Sequence, residues 1–276
     1  MYGGIETGGT KTVCAVGSNG TIRDRVAFPT GDDPVALVEK CAEFFVGRDL
    51  QAVGLGTFGP CDPNPSSPTY GHILQTPKPG WANVDLVGLL AQRLDVPLSM
   101  TTDVSAAALG ERRFGAGQGV PDLVYLTIGT GIGGGVISGG RLLQGATHPE
   151  VGHMLLPFPG PGVCPFHDAC WEGLASGPAM AARLGFPAQN LADDDPAWLL
   201  EAQIVAAGVH NLACTVSPQL VIIGGGVGSR DGLHRHLPAL VKQSLAGYVP
   251  APALTTPGLG ADAGVIGALT LAERGV

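Results

Sequence analysis

Between His153 and Glu172 the chain reads His-Met-Leu-Leu-Pro-Phe-Pro-Gly-Pro-Gly-Val-Cys-Pro-Phe-His-Asp-Ala-Cys-Trp-Glu. Cys164, His167 and Cys170 follow one another at two-residue gaps, with His153 a short loop upstream. Two thiols and two imidazoles in one loop are a donor set that suits tetrahedral zinc. A single histidine there would read as an ordinary loop residue; four donors at this spacing point to a metal. Four protein donors close a zinc shell and leave no position for an attacking water, so the ion is expected to be structural and not hydrolytic. Glu150 and Glu172 stand just outside the two ends of the loop. A metal knot there would hold acidic groups at a site.

Two glycine turns offer a second chemistry. The stretch Gly4 to Thr12 approaches a P-loop, but Thr10 separates Gly9 from Lys11. The Val-Cys-Ala-Val that follows is strand-like, where a P-loop must open a helix. Gly129, Gly131 and Gly134 satisfy G-x-G-x-x-G, with Glu150 about twenty residues on, where a ribose acid would sit. Yet Gly135-Val-Ile-Ser-Gly-Gly-Arg reads as a returning strand, so the dinucleotide fingerprint is set aside too. What remains is a pair of hairpins. Glycines admit close backbone approach, and successive N–H groups form an anion nest. Thr10 and Thr130 add hydroxyls, and Lys11 adds charge. Either turn alone would be an ordinary hairpin; two, one per half, favour phosphate.

These groups need elements to place them. Ile5 and Val13 to Val16 flank the first turn as a hairpin. Pro34–Phe45 carries apolar residues at helical spacing. Residues 52–55 read as a buried strand, 86–94 as a helix, 98–101 as a strand and 105–110 as a helix. Asp103, at that last junction, is on its own either a helix N-cap or a cleft-facing acid. The second half repeats the theme. Leu123–Ile128 is a strand, 129–135 a glycine turn and 136–137 a returning strand. Residues 202–214 and 233–246 are helical, with a strand at 220–223 running into Gly224-Gly225-Gly226. A last helix spans 264–274. Two strand–turn–strand units, each followed by mixed elements, suggest a duplicated α/β architecture with a cleft between its halves.

The 276 residues are 45% apolar, enough for one large domain or two ordinary ones. Net charge is -8 without a Lys/Arg-rich run, which excludes nucleic acid and anionic membrane as general partners. With 14% charged residues, 44 glycines and 23 prolines, the composition is that of an enzyme with many tight turns. The start has neither the basic segment nor the apolar run of a signal peptide. Six cysteines without an export signal predict thiols, not disulfides, and a cytoplasmic location. Cys14, Cys41 and Cys214 lie in apolar contexts and are expected to be buried. Cys61, in a Gly/Pro-rich loop, has no obvious place.

Several motifs together resemble one family. They are Glu-Thr-Gly-Gly-Thr-Lys from Glu6, Thr-Asp-Val-Ser-Ala-Ala-Ala-Leu-Gly-Glu from Thr102, Ile-Gly-Thr-Gly-Ile-Gly-Gly-Gly from Ile128, His-Pro-Glu-Val-Gly-His from His148, and Cys-Pro-Phe-His-Asp-Ala-Cys-Trp-Glu-Gly from Cys164. In this order they resemble the ROK family (repressor, open reading frame, kinase) along the whole chain. Tyr70-Gly71 and Thr-Pro-Lys-Pro-Gly-Trp from Thr76 resemble its bacterial fructokinase branch. The resemblance implies an actin/hexokinase-like (ribonuclease H-like) fold, duplicated, with two α/β domains closing on ATP and a sugar across an interdomain cleft. It also implies a homodimer in many members. The expected domains are 1–108, joined by the last helix 264–276, and 109–263 with the zinc loop. Repressor members carry an N-terminal helix-turn-helix, and the first strand here begins within a few residues of Met1, so a kinase is expected.

The resemblance also implies roles. Asp103 is the general base. Glu150, His153 and Glu172 hold sugar hydroxyls, and His153 joins Cys164, His167 and Cys170 on the structural zinc. Gly8, Gly9, Thr10, Lys11, Thr130, Gly131, Gly133, Gly225 and Gly226 bind ATP. The stretches 224–227 and 260–267 either flank adenine and ribose or serve tight helix–strand packing. Mg2+ accompanies ATP, with Asp103 and Glu6 as candidate ligands. Glu6 stands where Asp is more usual, Ser105 where Asn is, and zinc has two Cys and two His where many members have three and one. The expected reaction is phosphorylation of D-fructose to fructose 6-phosphate. The alternatives are a kinase for glucose or mannose and a non-catalytic sugar sensor. An intact Asp103 and two intact glycine turns weigh against the sensor.

Overall fold

In the computed structural model, which describes residues 1–274, each half of the chain opens with a hairpin. Strand β1 (Tyr2–Thr7) turns through residues 8–10 into the antiparallel β2 (Lys11–Ser18). A third strand, β3 (Thr21–Pro29), pairs with β2 at the edge of the sheet. Its sequence hides it, because the exposed run Arg23, Asp24 and Arg25 interrupts the alternation of the half-buried Ile22, Val26 and Phe28. Helix α1 (Pro34–Phe45) begins where Asp33 accepts hydrogen bonds from the N–H groups of Val35 and Ala36, and it buries Leu37, Val38, Cys41 and Phe45. Strands β4 (Val53–Thr57) and β5 (Leu98–Thr102) extend the sheet in parallel with β1, separated in sequence by α2 (Leu86–Ala91). The order is β3-β2-β1-β4-β5, and α3 (Asp103–Phe114) leaves directly from β5.

The second hairpin is β6 (Leu123–Ile128) and β7 (Ile132–Ser138), followed by the short β8 (Arg141–Leu142). Gly133, Gly134 and Gly135 pair with Thr127, Leu126 and Tyr125, so they belong to the strand, and the turn is shorter than its glycine content suggests. Helices α4 (Trp171–Ala175), α5 (Gly177–Leu184) and α6 (Ala197–Thr215) follow. Then come β9 (Leu220–Gly224), α7 (Asp231–Leu245) and β10 (Ala253–Thr255). The order β10-β9-β6-β7-β8, with β9 parallel to β6 and to β10, repeats the first sheet read from its hairpin outward. Duplication therefore resides in topology and not in sequence.

The chain then returns with α8 (Ala263–Arg274). One compact unit comprises Met1–Gly119, Leu142–Pro149 and residues 258–274; the other comprises Val120–Arg141 and Glu150–Pro257. The break expected after residue 108 falls inside α3, an unbroken helix packed against α8, so the first unit runs on to Gly119. Cys14, Cys41 and Cys61 are buried, whereas Cys214 is exposed, against expectation. It follows Ala213, the last buried residue of α6, on that helix's solvent side, with its Sγ 3.6 Å from His210 Nε2. Among the described residues no helix is long and apolar enough to cross a membrane.

Helices α3 and α8 cross almost backbone to backbone. A Cβ at Gly267 would fall 1.7 Å from Ala106 O. Neither backbone can yield, so Gly267→Ala should cost at least the usual about 1–3 kcal/mol of overpacking. Thermal unfolding should show a Tm lowered by several degrees; an unchanged Tm would mean that the helices are free to separate.

Candidate active site

The first unit places acids at the ends of its parallel strands. Glu6, next to last in β1, lies in register with Gly56 of β4. The backbone of α3 passes over Gly56, where a Cβ would be 3.4 Å from Asp103 Cα and 2.8 Å from Ala106 Cβ. Asp103 is the first residue of α3, not its cap: Thr102 fills that role by accepting from Ser105 N at 3.1 Å. Asp103 Oδ1 accepts from Val104 N at 2.8 Å. The Glu6 carboxyl is pushed up to about 7, first by burial and then by the charge of Asp103, with Lys11 pulling the other way. It accepts from the Val265 N–H in the first turn of α8, where a Cβ at Gly264 would lie 2.4 Å from its carboxyl carbon. Glu6, Asp103, Asp262 and Lys11 thus interact beside the turn 8–10, of which Gly9 and Thr10 are exposed. Trp81, from the Thr-Pro-Lys-Pro-Gly-Trp motif, is fully buried. Its indole N–H donates to Gly31 O at 3.0 Å, and its ring meets Phe58 edge-on at 5.1 Å, just beyond β4.

The second unit holds the Cys/His loop. Nδ1 of His153 lies 3.2 Å from His167 Nδ1, 3.5 Å from Cys170 Sγ and 3.7 Å from Cys164 Sγ, and His167 Nδ1 lies 3.8 Å from Cys164 Sγ. Bonds of about 2.0–2.3 Å to a tetrahedral ion would give edges of about 3.3–3.8 Å. The four donors, all within 4.8 Å of one another, therefore fit such an ion. Burial pushes the Cys170 thiol up to about 11, so a metal bound there must displace a proton. A tight backbone turn frames the loop: Cys164 and Asp168 exchange N–H···O bonds of 3.3 and 3.0 Å. Because His153 turns Nδ1 inward, its Nε2 is left for another partner.

The acids flanking this loop also meet. Glu172 Oε2 accepts from Ile132 N at 2.9 Å, and a Cβ at Gly131 would fall 2.5 Å from that oxygen. A side chain at Gly131 would thus push the carboxylate out of its present seat. Glu150 is open to solvent on one side. The protein around its carboxyl still pushes it up to about 7, by loss of water first and by the charge of Glu172 second.

A cavity of about 450 Å³ in the same unit is lined by Gly129, Thr130 and Gly226, together with Pro178, Ala181, Pro187 and Gln189. It gathers part of the expected nucleotide set. Gly131, Gly133 and Gly225 are not in its lining. Gly225 has φ +90° and would place a Cβ 2.4 Å from Ile128 O, which accounts for a glycine there by packing alone. The α5 side of the cavity was missed from sequence; its available signal was Ser-Gly-Pro at 176–178, where Ser176 caps α5 with proline in the first turn.

The sequence pattern of the ROK family matches residues 2–275. The chain belongs to the ROK family. A fructokinase of Pediococcus pentosaceus is 41% identical to this ROK chain over 282 residues, covering 99% of it and 98% of the relative. A fructokinase of Streptococcus mutans is 39% identical over 289 residues, again covering 99% and 98%. The crystal structure of a ROK hexokinase from Thermus thermophilus superposes with TM-score 0.83 at 31% identity, covering 99% of this chain and 98% of that one. The fold of this ROK protein is accordingly the actin/hexokinase-like (ribonuclease H-like) α/β fold, duplicated as its two sheets show.

Burial of Glu6 has a consequence for stability. Its folded value of about 7 exceeds the ordinary 4.5, so the native state holds a proton that the unfolded chain has lost. Stability from this group is full below the ordinary value and is lost as pH rises through the folded one. Measured without nucleotide or Mg2+, the Tm of the wild type should fall between about pH 5 and about pH 7 more than that of Glu6→Gln. Above that window the variant should be more stable by a few degrees. Parallel curves would show that Glu6 keeps its water.

Proposed function

We propose that this chain is an ATP-dependent fructokinase that converts D-fructose to fructose 6-phosphate. The observation that carries this reading is the grouping of Asp103, Glu6 and Lys11 beside a glycine turn at the strand ends. The relatives named fructokinase, matched over nearly their full length, support fructose as the sugar.

In this reading Asp103 accepts the proton of the sugar hydroxyl as its oxygen attacks the γ-phosphorus of ATP. The bond from that phosphorus to the β-phosphate oxygen breaks, and ADP leaves. Gly8, Gly9, Thr10 and Lys11 bind phosphates. Thr130 and Gly226, which line the cavity beside α5, bind nucleotide, as do Gly131, Gly133 and Gly225. Mg2+ bound with ATP would supply charge neutralisation of the phosphates, and Glu6 and Asp103 would be the acids to orient its water shell. Glu150, Glu172 and His153 Nε2 fix sugar hydroxyls, since each one left unpaired in a closed site weakens binding. His153, Cys164, His167 and Cys170 would hold zinc as a structural cross-link of the loop that carries these groups. A cytoplasmic homodimer belongs to the same reading, and sedimentation of the purified protein checks the dimer.

ADP release with Mg-ATP should be strongly biased to fructose over glucose, mannose and N-acetylmannosamine. Glucose-biased turnover would replace the sugar and keep the mechanism; no turnover from folded, zinc-loaded protein would favour the sensor. Asp103→Asn should lower kcat by about 10²–10⁴-fold with little change in sugar affinity. Wild-type turnover in this variant would remove Asp103 as the base. Cys164→Ser and Cys170→Ser should lower zinc content and Tm together, and full zinc occupancy in both would mean that the ligand set is wrong.

A further inference from the structure

Helix α4 carries Glu172 but has only 5 residues, too few for its own hydrogen bonds to hold it in place. Its outer end is fixed from elsewhere. Arg183, in the last turn of α5, donates through Nη1 to Leu174 O and through Nη2 to Glu201 Oε2. Glu201 lies on α6 and is 0% exposed. Its neighbours along the helix include the buried Trp198, Ala202, Ile204 and Val205, and its Oε1 has no hydrogen-bond partner. Burial pushes the Glu201 carboxyl up to about 8, and Arg183 works against that rise.

Such a pair is a poor device for stability. A buried carboxylate with one oxygen unpaired loses more water contact than it regains, and well-packed apolar residues are often as stable or more so. What the pair does supply is position. Arg183 joins the end of α4 to α6 and also anchors α5, whose first residue donates from Gly177 N to Gly129 O at 2.7 Å. Glu172 is thereby held from both sides: its carboxylate by Ile132 N–H and its helix by Arg183.

We propose that Arg183 and Glu201 are positioning residues that hold α4, and with it the Glu172 carboxylate, where Glu172 meets the sugar. This rests on the reading of Glu172 as a sugar ligand.

The test compares Arg183→Met/Glu201→Leu, Arg183→Lys and Glu172→Gln by kinetics, Tm and zinc content. The double variant should remain folded with Tm near or above that of the wild type. Its fructose KM should rise about tenfold or more, with kcat changed far less, because misplacing a binding group weakens what it binds. Arg183→Lys keeps the charge but lacks a fork to reach both partners, so its KM should rise as well. Should the double variant not fold, Arg183→Lys carries the test. A stable variant with wild-type fructose KM, while Glu172→Gln raises KM, would overturn the proposal. An unchanged KM in Glu172→Gln would instead remove Glu172 as a sugar ligand.

Discussion

Carboxylates taken out of bulk water and fastened to backbone N–H groups are the constraint on which both units depend. Glu6 accepts from Val265 N–H, Glu172 from Ile132 N–H, and Glu111 from Ala116, Gly258 and Leu259. A carboxylate can approach a main-chain amide this closely only where no side chain intervenes. In each case a glycine clears the space: a Cβ would fall 2.4 Å from the Glu6 carboxyl at Gly264, 2.5 Å from that of Glu172 at Gly131, and 2.1 Å from that of Glu111 at Gly115. These three glycines are therefore tied to where the acids sit. The seats also account for the electrostatics. Burial raises Glu6, while the amide it accepts from and the nearby Lys11 keep the ionised form within reach.

The Cys/His loop follows a related logic. Residues 153–172 contain little regular structure, and a loop of that length needs fastening. Cys164 and Asp168 pair through their backbones, Trp171 N donates to Met154 O at 2.8 Å, and four side-chain donors converge between them. The last of those donors, Cys170, is also the N-cap residue of α4, so the loop is joined directly to the helix that bears Glu172. A group placed at the end of one short helix is thereby fixed by the donor cluster at one end and by Arg183 at the other.

Much of this was legible in one dimension. The span of α1, the strand β6, the helix α8 and the four donors each follow from a local pattern: apolar periodicity or donor spacing. Local patterns survive translation into structure because they report on neighbours in the same element. Other features were hidden for physical reasons. In β3 an exposed Arg-Asp-Arg run breaks the alternation of Ile22, Val26 and Phe28, and Cys214 sits in an apolar stretch yet on the solvent side of its helix. The helix start before α3 offered Asp103 as a cap. Only the backbone geometry assigns the cap to Thr102 and leaves Asp103 as the first helical residue.

By itself, then, the sequence determined the class of elements, the donor set and the motifs shared with the ROK family, since all of these are encoded in residue type and short spacing. Tertiary structure alone decided which glycines serve packing, as Gly225 and Gly131 do, and which face open space, as Gly9 and Gly226 do. It alone brought Glu201 to Arg183 and Glu111 to the N–H groups of Gly258 and Leu259. Whether an acid keeps its water depends on elements that lie far apart along the chain, and no local pattern records which of them will close over it.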